Sequence, residues 1–337
     1  MFYEDARTAA PVLEIALTSR QKVPMCGVPF HAVNAYLPKL LKRGYKVAIC
    51  EQVEDPRSAK GVVKREIIKI LTPGTAVEVD LEAAKENVFV AALAPSETGW
   101  GLALTDLSTG EMRAMEGARD DLRALSDELV RAAPREIVFP EDGSAELGGY
   151  LDRQELRSAT RSPVESWVFD PAQAKSVLLG HFGVASLAGF GFEDRPLAAA
   201  AAGGLLHYVK QARRDSLALV NRLSYINAAD HMVLDASTVR NLELVRNLRD
   251  GRVESSLLDV VDFTATPMGG RLLRSWLLRP LVDAEAVGRR QEAVGDWLGD
   301  PIARRELRES LKGVLDLERL AGKISLGAAH PRDLVAL

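Results

Sequence analysis

The chain has 337 residues, enough for two or three domains at roughly 100–200 residues each. Hydrophobic residues make up 47% and charged residues 27%, which excludes a disordered or fibrous chain and fits a globular protein with real cores. The formal charge of −4 excludes a polycationic nucleic-acid binder, so any DNA contact has to come from a local basic patch.

Cys26 and Cys50 are the only cysteines. Two thiols cannot make a secreted disulfide framework, and they read as reduced core residues; no CxxC or HxxxH spacing joins them to His31 as metal ligands. Met1 to Asp5 is acidic and lacks the basic start of a secretion signal. The longest small-apolar run, Leu197 to Ala202, is too short for a bilayer. These features predict a soluble, cytoplasmic protein with no membrane partner.

Phe2, Ala6, Ala9 and Leu13 share a helical spacing and predict a first helix with Phe2 on its buried face. A Gly/Pro loop, Met25 to Ala32, then opens a helix marked by Val33, Tyr36, Leu37, Leu40 and Leu41 and closed by Gly44. His31 in that loop has two readings, a phosphate contact at a helix N-terminus or a capping residue. Tyr45–Glu51 and Ile67–Leu71 predict two strands, and Thr72-Pro73-Gly74-Thr75 a turn that ends a small α/β unit with a mixed sheet. Between and on those strands lie Arg57, Lys60, Lys64, Arg65 and Lys69, with Glu66 the only acid interleaved. This local excess suits phosphate neutralisation, and it also suits a solvated strand edge.

Val88–Leu93, Gly101–Asp106 and Glu111–Met115 predict three strands joined by turns at Glu97-Thr98-Gly99 and Ser108-Thr109-Gly110. A helix from Asp120 to Ala132 and a strand from Glu136 to Phe139 follow, the element order of a ribonuclease-H-like layer. Asp106 ends the second strand, where a nuclease of that shape would hold a metal, but no partner carboxylates stand out on the neighbouring strands. Pro196 starts an alanine-rich helix, and beyond it no further strand is expected. Near the end, Met268, Leu272, Leu273, Trp276 and Leu277 mark a helix that Thr266 should cap, Pro267 start and Pro280 stop. Arg332 to Leu337 reads as mid-helix with no stop signal. No GxxxxGK[ST] occurs, Gly269-Gly270-Arg271 has neither the spacing nor the lysine, and no Ser/His/Asp arrangement stands out among five histidines.

Four long strings resemble the bacterial MutS DNA mismatch-repair family. They are Pro24 to Val33, with Leu17-Thr18 before it; Val47 to Pro56, with Lys60-Gly61 and Thr72 to Thr75 after it; Leu234 to Leu244; and Asp262 to Leu273. The resemblance implies a multidomain α/β plus all-α fold. Residues 1–80 would be a partial, small mixed α/β mismatch-binding domain with its N-terminus missing. Residues 86–222 would be a ribonuclease-H-like connector, and 223–337 a partial helical core or lever domain. The clamp helices and the ATPase, with its ATP and Mg, would lie outside the chain.

The resemblance also implies mismatch-containing double-stranded DNA, a MutL-type partner and a homodimer as partners of the whole protein. It favours DNA contact for Lys64, Arg65 and Lys69, with His31, Arg57 and Lys60 as further candidates. The family's Phe-x-Glu mismatch reader is imitated in letters by Phe2-Tyr3-Glu4, yet in register these match the residues just downstream of it. The leading expectation is therefore a DNA-backbone-contacting, domain-coupling fragment that is not itself an enzyme and holds no cofactor. Alternatives are a metal-dependent nuclease using Asp106 and a structural interaction module.

Overall fold

A computed structural model describes residues 1–54, 63–77, 84–143, 151–152, 156–212, 214–327, 329–335 and 337. The chain opens with helix α1 (Tyr3–Leu13), which buries Ala6, Ala9, Ala10 and Leu13 against Cys26 and Leu40. Strands β1 (Thr18–Arg20) and β2 (Val23–Met25) form an antiparallel pair closed by Gln21 and Lys22, both at positive φ. Two left-handed residues give the turn whose twist matches a two-residue hairpin. Helix α2 (Val33–Leu41) buries Leu37, Leu40 and Leu41 as its spacing predicts, and β3 (Val47–Gln52) pairs antiparallel with β4 (Arg65–Leu71). The expected mixed sheet is replaced, among the described residues, by two separate antiparallel pairs, because each strand bonds to its sequence neighbour.

A six-stranded sheet follows, in the order β10-β7-β6-β5-β8-β9. Its strands are β5 (Val90–Pro95), β6 (Gly99–Asp106), β7 (Glu111–Ala118), β8 (Glu136–Pro140), β9 (Thr160–Val164) and β10 (Arg222–Tyr225). The pairs β5–β6 and β6–β7 are antiparallel, while β5–β8, β8–β9 and β7–β10 are parallel. The last of these corrects the expectation that no strand follows Pro196. In β10 only Leu223 is buried, so four residues give too short an alternation to read.

Strand β5 is covered on both faces. Val90, Ala92 and Ala94 join one core with α4 (Pro171–Phe182) and α5 (Pro196–Ala212), while Ala91 and Leu93 join another with α3 (Leu122–Ala132). The alanines of α5 let that helix lie close on β6. At Gly101 an added Cβ would stand 2.0 Å from the Leu197 carbonyl oxygen, so only glycine permits the approach. Glu116 of β7 caps the helix by accepting from the Leu197 and Ala198 N–H groups, both at 3.0 Å.

The remainder is helical, with α6 (Ala236–Asn241), α7 (Leu257–Val261), α8 (Pro267–Leu278), α9 (Ala284–Gly299), α10 (Pro301–Leu311), α11 (Leu317–Ser325) and α12 (Pro331–Val335). Thr266 caps α8 as expected, accepting from the Gly269 N–H at 3.1 Å. Leu244, Val245, Leu258 and Leu278 form its small core. Helices α9 and α10 bury no residue. No helix among the described residues is long and apolar enough to cross a membrane.

Two further expectations are corrected. Phe2 is 50% exposed, because it stands before the first turn of α1 and not on its packed face. Cys50 is exposed, because it lies on the solvent-facing β3–β4 pair, and only Cys26 is a core thiol.

Candidate nucleic-acid interface

The β3–β4 hairpin carries three of the sequence-selected cations. Gln52 pairs with Arg65, Glu51 with Glu66 and Cys50 with Ile67, after which Ile68 is left over as a bulge before Ile49 pairs with Lys69. A bulge sharpens the local twist and re-aims the side chains beyond it. Lys64 and Arg65 are exposed, and Lys69 is half-buried nearer the base of the hairpin. Ile67 and Ile68, at 62% and 53% exposure, leave an uncovered apolar strip beside them. Arg57 and Lys60 lie outside the described residues. His31 sits on a separate element, a single turn at Phe30–Ala32 ahead of α2, exposed and making no cap to that helix.

The hairpin is less cationic than its sequence suggests. Lys64 pairs with Glu66 at 2.6 Å, and the Lys64 N–H donates to Glu54 at 3.2 Å. Glu51 stands directly opposite Glu66. Glu51 comes from β3 and Glu54 from the chain just beyond it, so the basic run is further diluted by acids outside its own segment. Arg65 donates to the Val63 carbonyl at 3.3 Å and, among the described residues, has no carboxylate partner.

The base of the hairpin leads into a buried joint that sequence reasoning missed. Glu136, fully buried at the start of β8, accepts from Thr72 Oγ1 at 2.5 Å, Ser162 Oγ at 2.6 Å, the Gly74 N–H at 3.3 Å and the Tyr208 hydroxyl. Lys46 Nζ lies 3.7 Å away and supplies the opposite charge. Burial, followed by the Glu136 carboxylate and its hydrogen bond, pushes the Tyr208 hydroxyl well above the ordinary tyrosine range. Gly74 has no room for a side chain, since a Cβ would meet Val90 Cγ2 at 2.4 Å. The signal available in the sequence was a lone carboxylate opening the apolar strand Glu136-Ile137-Val138-Phe139.

Asp106 is a structural clamp. Oδ1 accepts from the Ser108 N–H and hydroxyl, and Oδ2 from Asn87 Nδ2 and the Val88 N–H. Among the described residues no three His, Cys, Asp or Glu side chains gather as metal ligands, so nothing supports the nuclease reading.

A small α/β unit whose hairpin base is pinned into a six-stranded sheet, with a helical array beyond, defines a multidomain mixed α/β protein. The family models for MutS domain I, MutS domain II and MutS domain III match residues 1–80, 87–221 and 237–337. The DNA mismatch repair protein MutS of Symbiobacterium thermophilum is 48% identical over 344 residues, an alignment covering 100% of this chain and 39% of that protein. The proteins of the same name from Pelotomaculum thermopropionicum and Myxococcus xanthus are 43% and 42% identical, again over 100% of the chain and covering 39% and 38% of their own length. The chain belongs to the MutS family, and it spans about two fifths of the length of these relatives.

Proposed function

We propose that this chain contacts the backbone of mismatch-containing double-stranded DNA and couples that contact to the rest of a mismatch-repair protein. In this reading residues 1–80 are a partial mismatch-binding domain, 86–222 a ribonuclease-H-like connector whose sheet reaches on to Tyr225, and 223–337 a partial core or lever segment. The sheet order, three antiparallel strands continued by parallel ones, supports the connector assignment. Lys64, Arg65 and Lys69 meet phosphates, with His31, Arg57 and Lys60 as secondary contacts. Phosphate contacts position a protein on DNA without specifying sequence, so binding by these groups is weak and indifferent to mismatches.

One observation carries the proposal. The same hairpin exposes Lys64 and Arg65 while its base at Thr72 and Gly74 is held in the sheet by Glu136. A load on the hairpin therefore passes into the sheet through hydrogen bonds and not through a loose linker.

The ATP and Mg of the longer family members do not fit these residues. Gly269 and Gly270 lie inside α8, and the Gly269 N–H is already taken by Thr266. We therefore assign no nucleotide step to this chain and propose that it neither binds nor hydrolyses ATP. Homodimerisation and a MutL-type partner belong to the whole protein in the same reading, which also places it in the cytoplasm. The test is fluorescence anisotropy with a labelled duplex. Lys64→Glu, Arg65→Glu and Lys69→Glu together should weaken binding by a chain that remains folded, and unchanged binding would refute the assignment.

A further inference from the structure

A cavity of about 260 Å³ lies where the sheet meets the helical segment. Arg113, Arg131 and Arg135 enter it from the sheet side, and Arg246, Arg271, Arg274 and Arg279 from the helical side. Among the described residues, Glu86 is the only acid that lines it. None of this was visible in the sequence, where the seven arginines are spread over 167 positions, from 113 to 279.

Among the described residues, several of these guanidiniums share one carboxylate. Arg271 is fully engaged, with both nitrogens on Asp316 at 2.6 and 2.8 Å and Glu318 at 2.9 Å. Arg131 and Arg279 share the single carboxylate of Glu128. Arg246 and Arg274 share Glu86 at 3.5 and 4.0 Å, and Arg113 has Glu111 at 3.3 Å. Among the described residues, Arg131 and Arg279 thus have one carboxylate between them and Arg246 and Arg274 another, so these guanidiniums outnumber the carboxylates they pair with.

The excess is accompanied by unused donors. The Nε atoms of Arg131 and Arg279 are buried and have no hydrogen-bond partner among the described residues. Buried donors of this kind are rare, since each forfeits its hydration, and charged ones forfeit most. Burial, ahead of any neighbouring charge, pulls Arg113, Arg135 and Arg274 below the usual arginine range. An acceptor-rich anion would restore both the hydrogen bonds and the charge balance. Planar guanidinium forks suit phosphate oxygens above all.

We propose that this cavity is a phosphate site that takes a polyvalent phosphate, either a free diphosphate or phosphates of a nucleic-acid backbone, across the joint between the sheet and α8. An anion held there bonds simultaneously to groups on both sides and so locks the joint. The site is independent of the β3–β4 hairpin, and variants at either place leave the other intact.

The experiment is titration calorimetry of the 337-residue chain with inorganic pyrophosphate, at an ionic strength held constant with sodium chloride, paired with thermal melting. Saturable binding and a raised Tm are expected. Arg274→Gln should weaken binding at least about tenfold, the equivalent of one lost charged hydrogen bond. Arg246→Gln, at a more exposed position, should do the same if Arg274→Gln does not fold. Arg7→Gln, on the exposed side of α1, should bind as wild type. A short duplex added in competition separates the sources: displacement of pyrophosphate identifies backbone phosphate, and its retention identifies a free anion. No saturable binding by the folded chain, or equal affinity in wild type and both cavity variants, overturns the proposal.

Discussion

Thr72 Oγ1 donates to Glu136 Oε2 at 2.5 Å across 64 residues of sequence, joining the end of one hairpin to the first residue of a strand in another sheet. A carboxylate buried this completely is tolerable only because Thr72, Gly74, Ser162 and Tyr208 all donate to it and Lys46 lies beside it. Glu136→Ala would strand those donors, and a loss of about 2–4 kcal/mol is expected in urea denaturation. A loss below 1 kcal/mol would mean that the joint is solvated in solution.

Tyr208 makes the same joint sensitive to alkali. Its folded-state pKa is raised above the ordinary value of 10, chiefly by burial. A group with a raised folded pKa contributes stability that is complete below the unfolded pKa and lost as pH rises beyond it. Wild-type stability should therefore decline above about pH 10 more steeply than that of Tyr208→Phe. The variant should start about 1–3 kcal/mol lower at pH 8, and the gap should narrow with rising pH. Parallel profiles for the two proteins would contradict the assignment.

The two ends of the first helical face should respond very differently to truncation. Leu13 is fully buried, and Leu13→Ala should cost about 2–5 kcal/mol. Phe2 is half-exposed, so Phe2→Ala should cost under about 1 kcal/mol. Thermal melts of the two variants distinguish this from the larger cost that helical spacing alone predicts for Phe2.

Thr266→Ala removes the side-chain acceptor at the start of α8 and should lower stability by about 1 kcal/mol, with Thr266→Ser restoring it. A Ser variant as weak as Ala would show that the methyl group, not the cap, matters.

Local signals were read correctly where one segment carries the whole cause. Val33 to Leu41 and Met268 to Leu277 each announce a helix, because a 3.6-residue period is contained in the segment itself, and Thr266 adds a cap just ahead of the second. The three strands around Asp106 announce themselves through Gly-containing turns. What escaped notice depends on partners far away in sequence. Strand β10 exists because β7 offers a free edge, and Glu51, which faces Glu66 in the basic run, comes from β3. The Glu136 joint and the arginine cavity are assembled from segments that no window of sequence contains together. The role of Asp106 as a clamp emerges only once Asn87, Val88 and Ser108 are seen around it.

The hairpin contact with DNA is tested most directly by the salt dependence of duplex binding. Each phosphate neutralised on a duplex contributes about −0.9 to the slope of log K against log salt. Lys64→Gln, Arg65→Gln and Lys69→Gln together should make that slope shallower by about 2–3 and weaken matched and mismatched duplexes equally. An unaltered slope in the folded triple variant would contradict backbone contact by the β3–β4 hairpin and leave it a solvated surface.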